Sequence, residues 1–355
     1  MIFLRLAFIL SLMFVFSQGK TMIIQKSSDT INPIQTHIEP KEYIKIAVVS
    51  SPKIIGKYAQ SVYNVALATL SSRRGDRFSI RQYDMQDESP ITLGETFAKL
   101  REDKIDAVLA PLTGEGAKSL VHIETNLPIF IPTVHKRDIP SAPNNIVFGG
   151  IDYLAQIEAL HPYMADSISI FYDSSTVGSQ LKSSTEEVFL ADAGEKKKVK
   201  SYAIDSNGDN IISHLSKPSL FNKNSVILHI PVVKSAILAS QLTFLGIKER
   251  NILSTQINMD PNLLMLTQYR DRKNMIIANS LIEFPPSIYE ANELMNNDLA
   301  YDWIQYSSSV GIDYLVSIMD GTPRSYSMRL INSQIIYPVE LLQAKEYGFE
   351  PITSK

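Results

Sequence analysis

Residues 105–112 read IDAVLAPL, and every position beyond Asp106 is apolar. An unbroken apolar run of this length predicts a strand covered on both faces, which points to a parallel sheet with helices on either side. The flanking sequence agrees. Upstream, Ile44–Val49 is a β-branched run stopped by Ser50, Ser51 and Pro52, and Tyr58, Val62, Val65, Ala66 and Thr69 then recur at helical spacing. Phe78–Tyr83 alternates as a strand, and a helix is predicted over about 93–102. Downstream, a helical stretch at 115–124 leads to LPIFIPT (127–133), a loop bearing Pro140 and Pro143, and a further strand at 146–150.

The same rhythm then starts again. Strands are predicted at 167–173 (SISIFYD), 199–204, 226–230 (VILHI), 252–257 and 275–279. Helices are predicted between them at 178–193, 210–215, 234–245 and 261–268. Two successive βαβα runs of similar length give an α/β protein with two doubly wound Rossmann-like lobes joined by a hinge. Lobe 1 is expected over 43–150 with a return at about 285–333, and lobe 2 over 151–284. A last helix at about 302–319 belongs to that return, and 334–355 is expected as a C-terminal strand and tail near the hinge.

Composition narrows the function. The chain has 355 residues, 34 Lys+Arg against 37 Asp+Glu, a formal charge of −3, 45% apolar residues and no cysteine. Thiol chemistry, disulfides and Cys-based metal sites are excluded. So small a net charge does not suit nucleic acid. Arg5, the eleven-residue run Leu6–Phe16 broken only by Ser11, and Ser17–Gln18–Gly19 read as a cleavable signal peptide over 1–19. The run is too short to span a hydrocarbon layer of ~30 Å. A polar, proline-broken arm follows at 20–42. The expected location is the periplasm, without a lipid anchor and with no membrane span after signal cleavage.

In order and spacing the strand–loop–helix units resemble the type I periplasmic solute-binding proteins, the Leu/Ile/Val-binding group. The segments that carry this are IKIAVVSSPKIIGKYAQS (44–61), IDAVLAPLTGEGAKSL (105–120), NLPIFIPTVHKRD (126–138), IVFGGIDYLAQIEAL (146–160), SISIFYDSSTVGSQL (167–181) and YDWIQYSSSVGIDYLVSIM (301–319). FPP at 284–286 and VGIDYL at 310–315 are also similar to penicillin-binding-protein activators of the same fold, which are lipoproteins. The resemblance implies a non-enzymatic binding protein that closes two lobes on a small organic ligand, such as an amino acid or a carboxylate, for a membrane transporter or sensor. The alternative reading is a scaffold or regulator on the same fold that binds envelope machinery, a cell-wall synthase or flagellar motility apparatus, through its surface without a small ligand. Ligand would lie at strand carboxyl ends. The positions there are Ser50, Ser51, Thr113, Gly114 and Thr133 in lobe 1, and Tyr172, Asp173, Ser175, Val232, Asn258 and Asp260 in lobe 2.

One departure bears on the ligand. Amino-acid binders of the group typically carry an aromatic residue after the VILHI-type strand and an acidic one after the next. Here the loops read Pro231–Val232–Val233 and Gln256–Ile257–Asn258–Met259–Asp260. Asp260 stands before Pro261, where a helix cap is expected, so an ammonium anchor is not favoured.

Chemistry motifs fail on their residues. Gly114–Glu115–Gly116 opens like a dinucleotide fingerprint but has Ser119 at the third glycine position. Asp205–Ser206–Asn207–Gly208–Asp209 mimics a calcium loop but has Asn210 at the turn glycine and Ser216 at the bidentate glutamate. The six histidines contain no HExxH, and no Gly-x-Ser-x-Gly is present. His229 reads as a core residue, the basic residues at 196–198 as a solvated turn, and Trp303 as core. No catalytic residue, cofactor or metal site is expected.

Overall fold

The computed structural model describes residues 43–74, 77–191 and 197–352, all within one compact unit, Pro33–Lys355. The signal segment and the polar arm both lie outside the described residues. β1 (Ile44–Ser50) has six of its seven residues buried and lies between two parallel neighbours. After the short α1 (Pro52–Ile55), α2 (Tyr58–Arg74) carries the chain to β2 (Phe78–Asp84). α3 (Pro90–Glu102) leads to β3 (Ala107–Leu109), and α4 (Gly114–Leu120) to β4 (Ile129–Ile131) and then β5 (Ile146–Phe148). These five strands are parallel. Only three residues of IDAVLAPL are strand. Pro111 lacks a donor for the ladder, and Ile105 and Leu112 go into the core beside it.

α5 (Tyr153–Leu160) opens the second half. It continues through β6 (Ser167–Asp173), α6 (Thr176–Ala191), β7 (Lys198–Ile204), α7 (Ile211–His214), β8 (Ser225–His229), α8 (Val232–Phe244) and β9 (Asn251–Ser254). α9 (Pro261–Leu266), α10 (Tyr269–Arg272) and β10 (Met275–Asn279) complete the run. β6–β10 are parallel in the order β10-β9-β8-β6-β7. The strand expected over 252–257 stops at Ser254. There the chain tightens into a 3-10 turn at Gln256–Asn258, with Asn258 N–H on Thr255 O and Met259 N–H on Gln256 O.

The chain then returns to the first half. α11 (Pro286–Leu294) and α12 (Trp303–Asp320) both pack on α2. Every residue of α12 from Tyr306 to Val316 is buried, so this helix is core on all sides. Asp302 caps its start by accepting Gln305 N–H at 3.0 Å, and Gly321, at φ 73°, closes its end in the left-handed region that favours glycine. Asp313, fully buried, pairs with Arg73 of α2 and accepts the Ser325 and Tyr326 N–H groups.

The tail differs from expectation. β11 (Arg329–Ile331) and β12 (Gln334–Ile336) join the first sheet, whereas β13 (Glu340–Ala344) and β14 (Phe349–Pro351) join the second. Each sheet therefore has seven strands, five parallel ones extended at one edge. No helix among the described residues is long and apolar enough to cross a membrane.

His229, the last residue of β8, is fully buried, with Nε2 2.8 Å from Thr185 Oγ1. Burial lowers its pKa to about 3. The unfolded chain takes up this proton near pH 6.5 and the folded one does not. Stability contributed here is complete above about 6.5 and falls by about 1.4 kcal/mol per pH unit as pH drops toward 3. Denaturant titrations between pH 7 and pH 4 are expected to show this one-proton slope, and His229→Gln is expected to remove it.

Candidate functional site

The chain passes between the sheets three times: from β5 into α5 through Gly149–Asp152, from β10 to α11 through Ser280–Pro285, and from β12 to β13 through Tyr337–Val339. Each passage leaves the carboxyl end of a strand. β12 runs parallel to β5, and Glu340 of β13 pairs with Asn279 at the end of β10. The carboxyl ends of both sheets therefore border the same boundary, where α/β sheets place their ligands.

All three passages are held by one turn of α12. Ser307 Oγ donates to Gly149 O at 2.8 Å and lies 3.1 Å from Tyr337 Oη. Tyr306 Oη donates to Glu283 O at 3.1 Å. Gly149 must be glycine, since a Cβ would overlap Phe130 and Ser307. Burial pushes the phenols of Tyr306 and Tyr337 well above the ordinary tyrosine range.

In lobe 1, Ser50 and Ser51 are fully buried, and neither Oγ has a hydrogen-bond partner among the described residues. Thr113 is committed elsewhere. Its Oγ1 caps α4 by accepting Gly116 N–H at 3.1 Å and donates its own proton to Glu88 Oε2. The Glu88 carboxylate, 7% exposed, also accepts the Thr113 N–H at 3.1 Å. Gly116 leaves room for it, since a Cβ there would overlap the carboxylate. Gly114 is exposed beside this cap, and Thr133 Oγ1 donates to Leu112 O.

Lobe 2 repeats the arrangement at α6. Ser175 Oγ accepts Gly178 N–H at 3.0 Å and donates to Asp173 Oδ1, and a Cβ on Gly178 would overlap that carboxylate. Each lobe thus sets a hydroxyl cap, a glycine three residues on, and a carboxylate of its own at a helix start. Tyr172 is half-buried, with the Lys182 ammonium 6.0 Å from its ring centroid, and half-buried Val232 is the first residue of α8. Asp260 caps α9 by accepting Asn262 N–H at 2.8 Å. Asn258 is fully buried. Its Nδ2 donates to Ser254 Oγ at 2.8 Å and to Ile230 O at 3.3 Å, leaving Oδ1 without a partner.

Three groups were missed from sequence. Thr255 Oγ1 and Gln256 Nε2 are buried without partners beside Asn258; both were read as strand. Gln256 Oε1 accepts from Ser280 N–H at 2.9 Å and from Gln156 Nε2 at 3.2 Å, tying the second passage to α5. Asp152 joins the loop after β4 to the start of α5, accepting from Arg137 Nη2 at 3.0 Å, with His135 Nε2 at 3.4 Å. Burial alone would raise its carboxyl. Hydrogen bonds from His135 and Ala155 N–H and the nearby His135 and Arg137 charges outweigh that and hold it well below the usual carboxylate range.

Among the described residues no three His, Cys, Asp or Glu gather to hold a metal ion. A cavity of about 680 Å³ opens away from the boundary, at the amino ends of β3 and β4, against Phe97, Arg101, Leu127 and Met319. Glu88 and Gly116 form a testable pair. Gly116→Ala is expected to cost about 1–3 kcal/mol while Glu88 is present, and less than half as much in Glu88→Ala, where the methyl has room. Chemical denaturation of the four chains of that cycle measures the difference.

No family model matches the chain, and no curated protein sequence matches it. Solved structures do. The isoleucine complex of the branched-chain amino acid transporter substrate-binding protein LivJ from Streptococcus pneumoniae is 11% identical, with TM-score 0.62, over 87% of this chain and 99% of that one. An ABC-transporter solute-binding protein from R. palustris, in complex with 4-hydroxybenzoate, is 10% identical with TM-score 0.63, over 88% and 96%. LpoA from Haemophilus influenzae is 7% identical with TM-score 0.58, over 89% of this chain and 59% of its own. At such identities the likeness speaks for the backbone alone, and it agrees with the two sheets and their three passages: the chain has the two-lobed type I periplasmic-binding-protein fold.

Proposed function

We propose that the chain is a non-enzymatic periplasmic binding protein that closes its two lobes on a small, uncharged, hydrogen-bonding ligand and presents it to a transporter or sensor. One observation carries the reading. Of ten buried side-chain atoms without a partner among the described residues, six sit at or just past strand carboxyl ends: Ser50 Oγ and Ser51 Oγ at the end of β1, His229 Nδ1 at the end of β8, and Thr255 Oγ1, Gln256 Nε2 and Asn258 Oδ1 after β9. Buried polar groups are normally satisfied, so unpartnered groups at the strand ends of both lobes suit a molecule that supplies partners to each. Hinge closure then converts those contacts into a shape that a partner can read. The isoleucine and 4-hydroxybenzoate bound by the similar proteins are both small organic molecules.

The self-capped helix starts argue about charge. A ligand carboxylate seated at α4 or α6 meets Glu88 or Asp173, each already holding the local donors. With Asp260 capping α9, the loops after β8 and β9 leave no free anion for an ammonium. A neutral ligand avoids both conflicts.

A second reading rests on the same caps: a lobed scaffold whose helix starts are permanently filled and which binds envelope machinery, a cell-wall synthase or motility apparatus, through its surface. The likeness to LpoA is compatible with it.

A thermal-shift panel of neutral sugars, amides and alcohols, run beside amino acids and carboxylates, tests the first reading. At 100 times Kd a ligand adds about 2.7 kcal/mol of stability. A neutral compound is expected to raise Tm, and Ser50→Ala or Asn258→Ala to weaken it by ~3–10-fold each. A panel without any shift, together with a reproducible partner from crosslinked envelopes, favours the scaffold.

A further inference from the structure

In the first passage a single residue, Ile151, separates the last group held to lobe 1 from the first held to lobe 2. Gly150 gives its N–H to Val134 O at 2.9 Å and accepts from Gln334 Nε2 at 3.2 Å, and a Cβ on it would overlap the Val134 and His135 backbone. The loop after β4 thus packs backbone against backbone on this passage. It is braced from its own side as well. Lys136 N–H donates to Gln334 Oε1 at 2.8 Å, and the Lys136 ammonium is spent on the carbonyls of Ile139, Pro140 and Ala142. His135 and Arg137 therefore stand on a fixed platform of lobe 1.

Asp152 meets that platform from lobe 2. Its Oδ1 accepts Ala155 N–H at 3.1 Å and so caps α5, which packs on α6 and β10. The same carboxylate accepts from Arg137 Nη2 at 3.2 Å and 3.0 Å, and its Oδ2 lies 3.4 Å from His135 Nε2. His135 Nδ1 accepts Arg137 N–H at 3.1 Å, so the proton of the neutral ring sits on Nε2, the nitrogen beside Asp152. One carboxylate thus closes a helix of lobe 2 and pairs with a cation of lobe 1. Turning lobe 2 about the Ile151 dihedrals moves Asp152 while Arg137 and His135 stay in place.

We infer that Asp152 and Arg137, steadied by His135, form an ionic latch that holds the two lobes at their present angle and lets go when the pair is screened or removed. The latch depends on the two-lobed fold and not on a ligand, so it serves a receptor and a scaffold alike. Its strength is that of a partly exposed pair. The Asp152 side chain is 27% and that of Arg137 52% exposed, which sets the effect at about 2–5-fold in an equilibrium. A bias of that size tilts a hinge without locking it, and contacts made elsewhere on the boundary can still override it.

The natural chain lacks cysteine, so paired spin labels can be introduced without competition. Ala98→Cys on α3 and Glu187→Cys on α6, both exposed, put one label on each lobe. Double electron–electron resonance at low salt is expected to give one main inter-lobe distance for this labelled parent. Adding Arg137→Gln is expected to raise the share of other distances about 2–5-fold, with the circular dichroism spectrum unchanged. Asp152→Asn is expected to do the same, since Asn still caps α5. Arg137→Lys, which keeps the charge and loses the planar fork, is expected to fall between. Salt at 1 M, where the Debye length is about 3 Å, is expected to move the parent toward the Arg137→Gln pattern and to leave that variant as it was. An Arg137→Gln distribution that matches the parent at low salt overturns the proposal. A shift in Asp152→Asn alone overturns it as well, because it would come from the cap. Neither result bears on the proposed ligand, since none is added.

Discussion

The relation between the two sheets depends on one buried turn of α12. Ser307 takes up the carbonyl of Gly149 and meets the Tyr337 hydroxyl, while Tyr306 both donates to Glu283 O and accepts its N–H. Three passages that are remote in sequence are thereby fixed to a single element of lobe 1, and that element is core on every side. Such buried polar contacts matter most when broken, since each group left unsatisfied costs about 1–3 kcal/mol. Gly150 is held to lobe 1 as well, its N–H on Val134 O and its carbonyl accepting from Gln334 Nε2, which leaves Ile151–Asp152, Ser280–Ile282 and Pro338–Val339 as the short stretches beyond these anchors. Asp152, bound across the boundary to Arg137, stands on the first of those stretches.

The boundary combines two opposite treatments of polar groups. At α4 and α6 the capping residue gives its N–H and its hydroxyl proton to a carboxylate from the chain itself, and a glycine has been kept so that the carboxylate fits. At the ends of β1 and β9, hydroxyl and amide atoms are buried with nothing to bond. Charge–dipole contacts are the stronger of the two, so filling them internally removes the strongest handle an anionic ligand would use. What remains is a set of neutral donors and acceptors, whose net worth is about 1 kcal/mol each. Selectivity from such a set comes from geometry, since each unmatched group is penalised by burial.

Much of the frame was legible in the sequence. β6 and β10 occupy the residues read as SISIFYD and 275–279, because short segments rich in isoleucine and aromatic residues, closed by Asp173 and Asn279, suit a strand better than a helix. Asp260 was readable as a cap because proline follows it. The misses share a cause. β13, ELLQA, and β14, FEP, take their place only from the sheet they join, as each is too short or too mixed to show a period. α11 was hidden behind Phe284–Pro285–Pro286, which reads as a break until Pro286 is recognised as a first helical residue. Glu88 lies 25 positions from Thr113, and no local pattern joins them; Gly116 was the only trace, and it read as an ordinary helix start. Thr255 and Gln256 were absorbed into a strand because Ile252–Ile257 looks continuous until the backbone turns.

α8 and the open polar groups of the boundary meet at one atom. The Ile230 carbonyl, just beyond β8, accepts from Ser235 Oγ, which steadies the first turn of α8, and from Asn258 Nδ2, whose Oδ1 is one of the unpartnered atoms. Ile230 O thus links the first turn of α8 to the loop after β9 through one shared acceptor. That loop, more than the apolar core beneath it, is where the start of α8 and the polar groups of the boundary are held together.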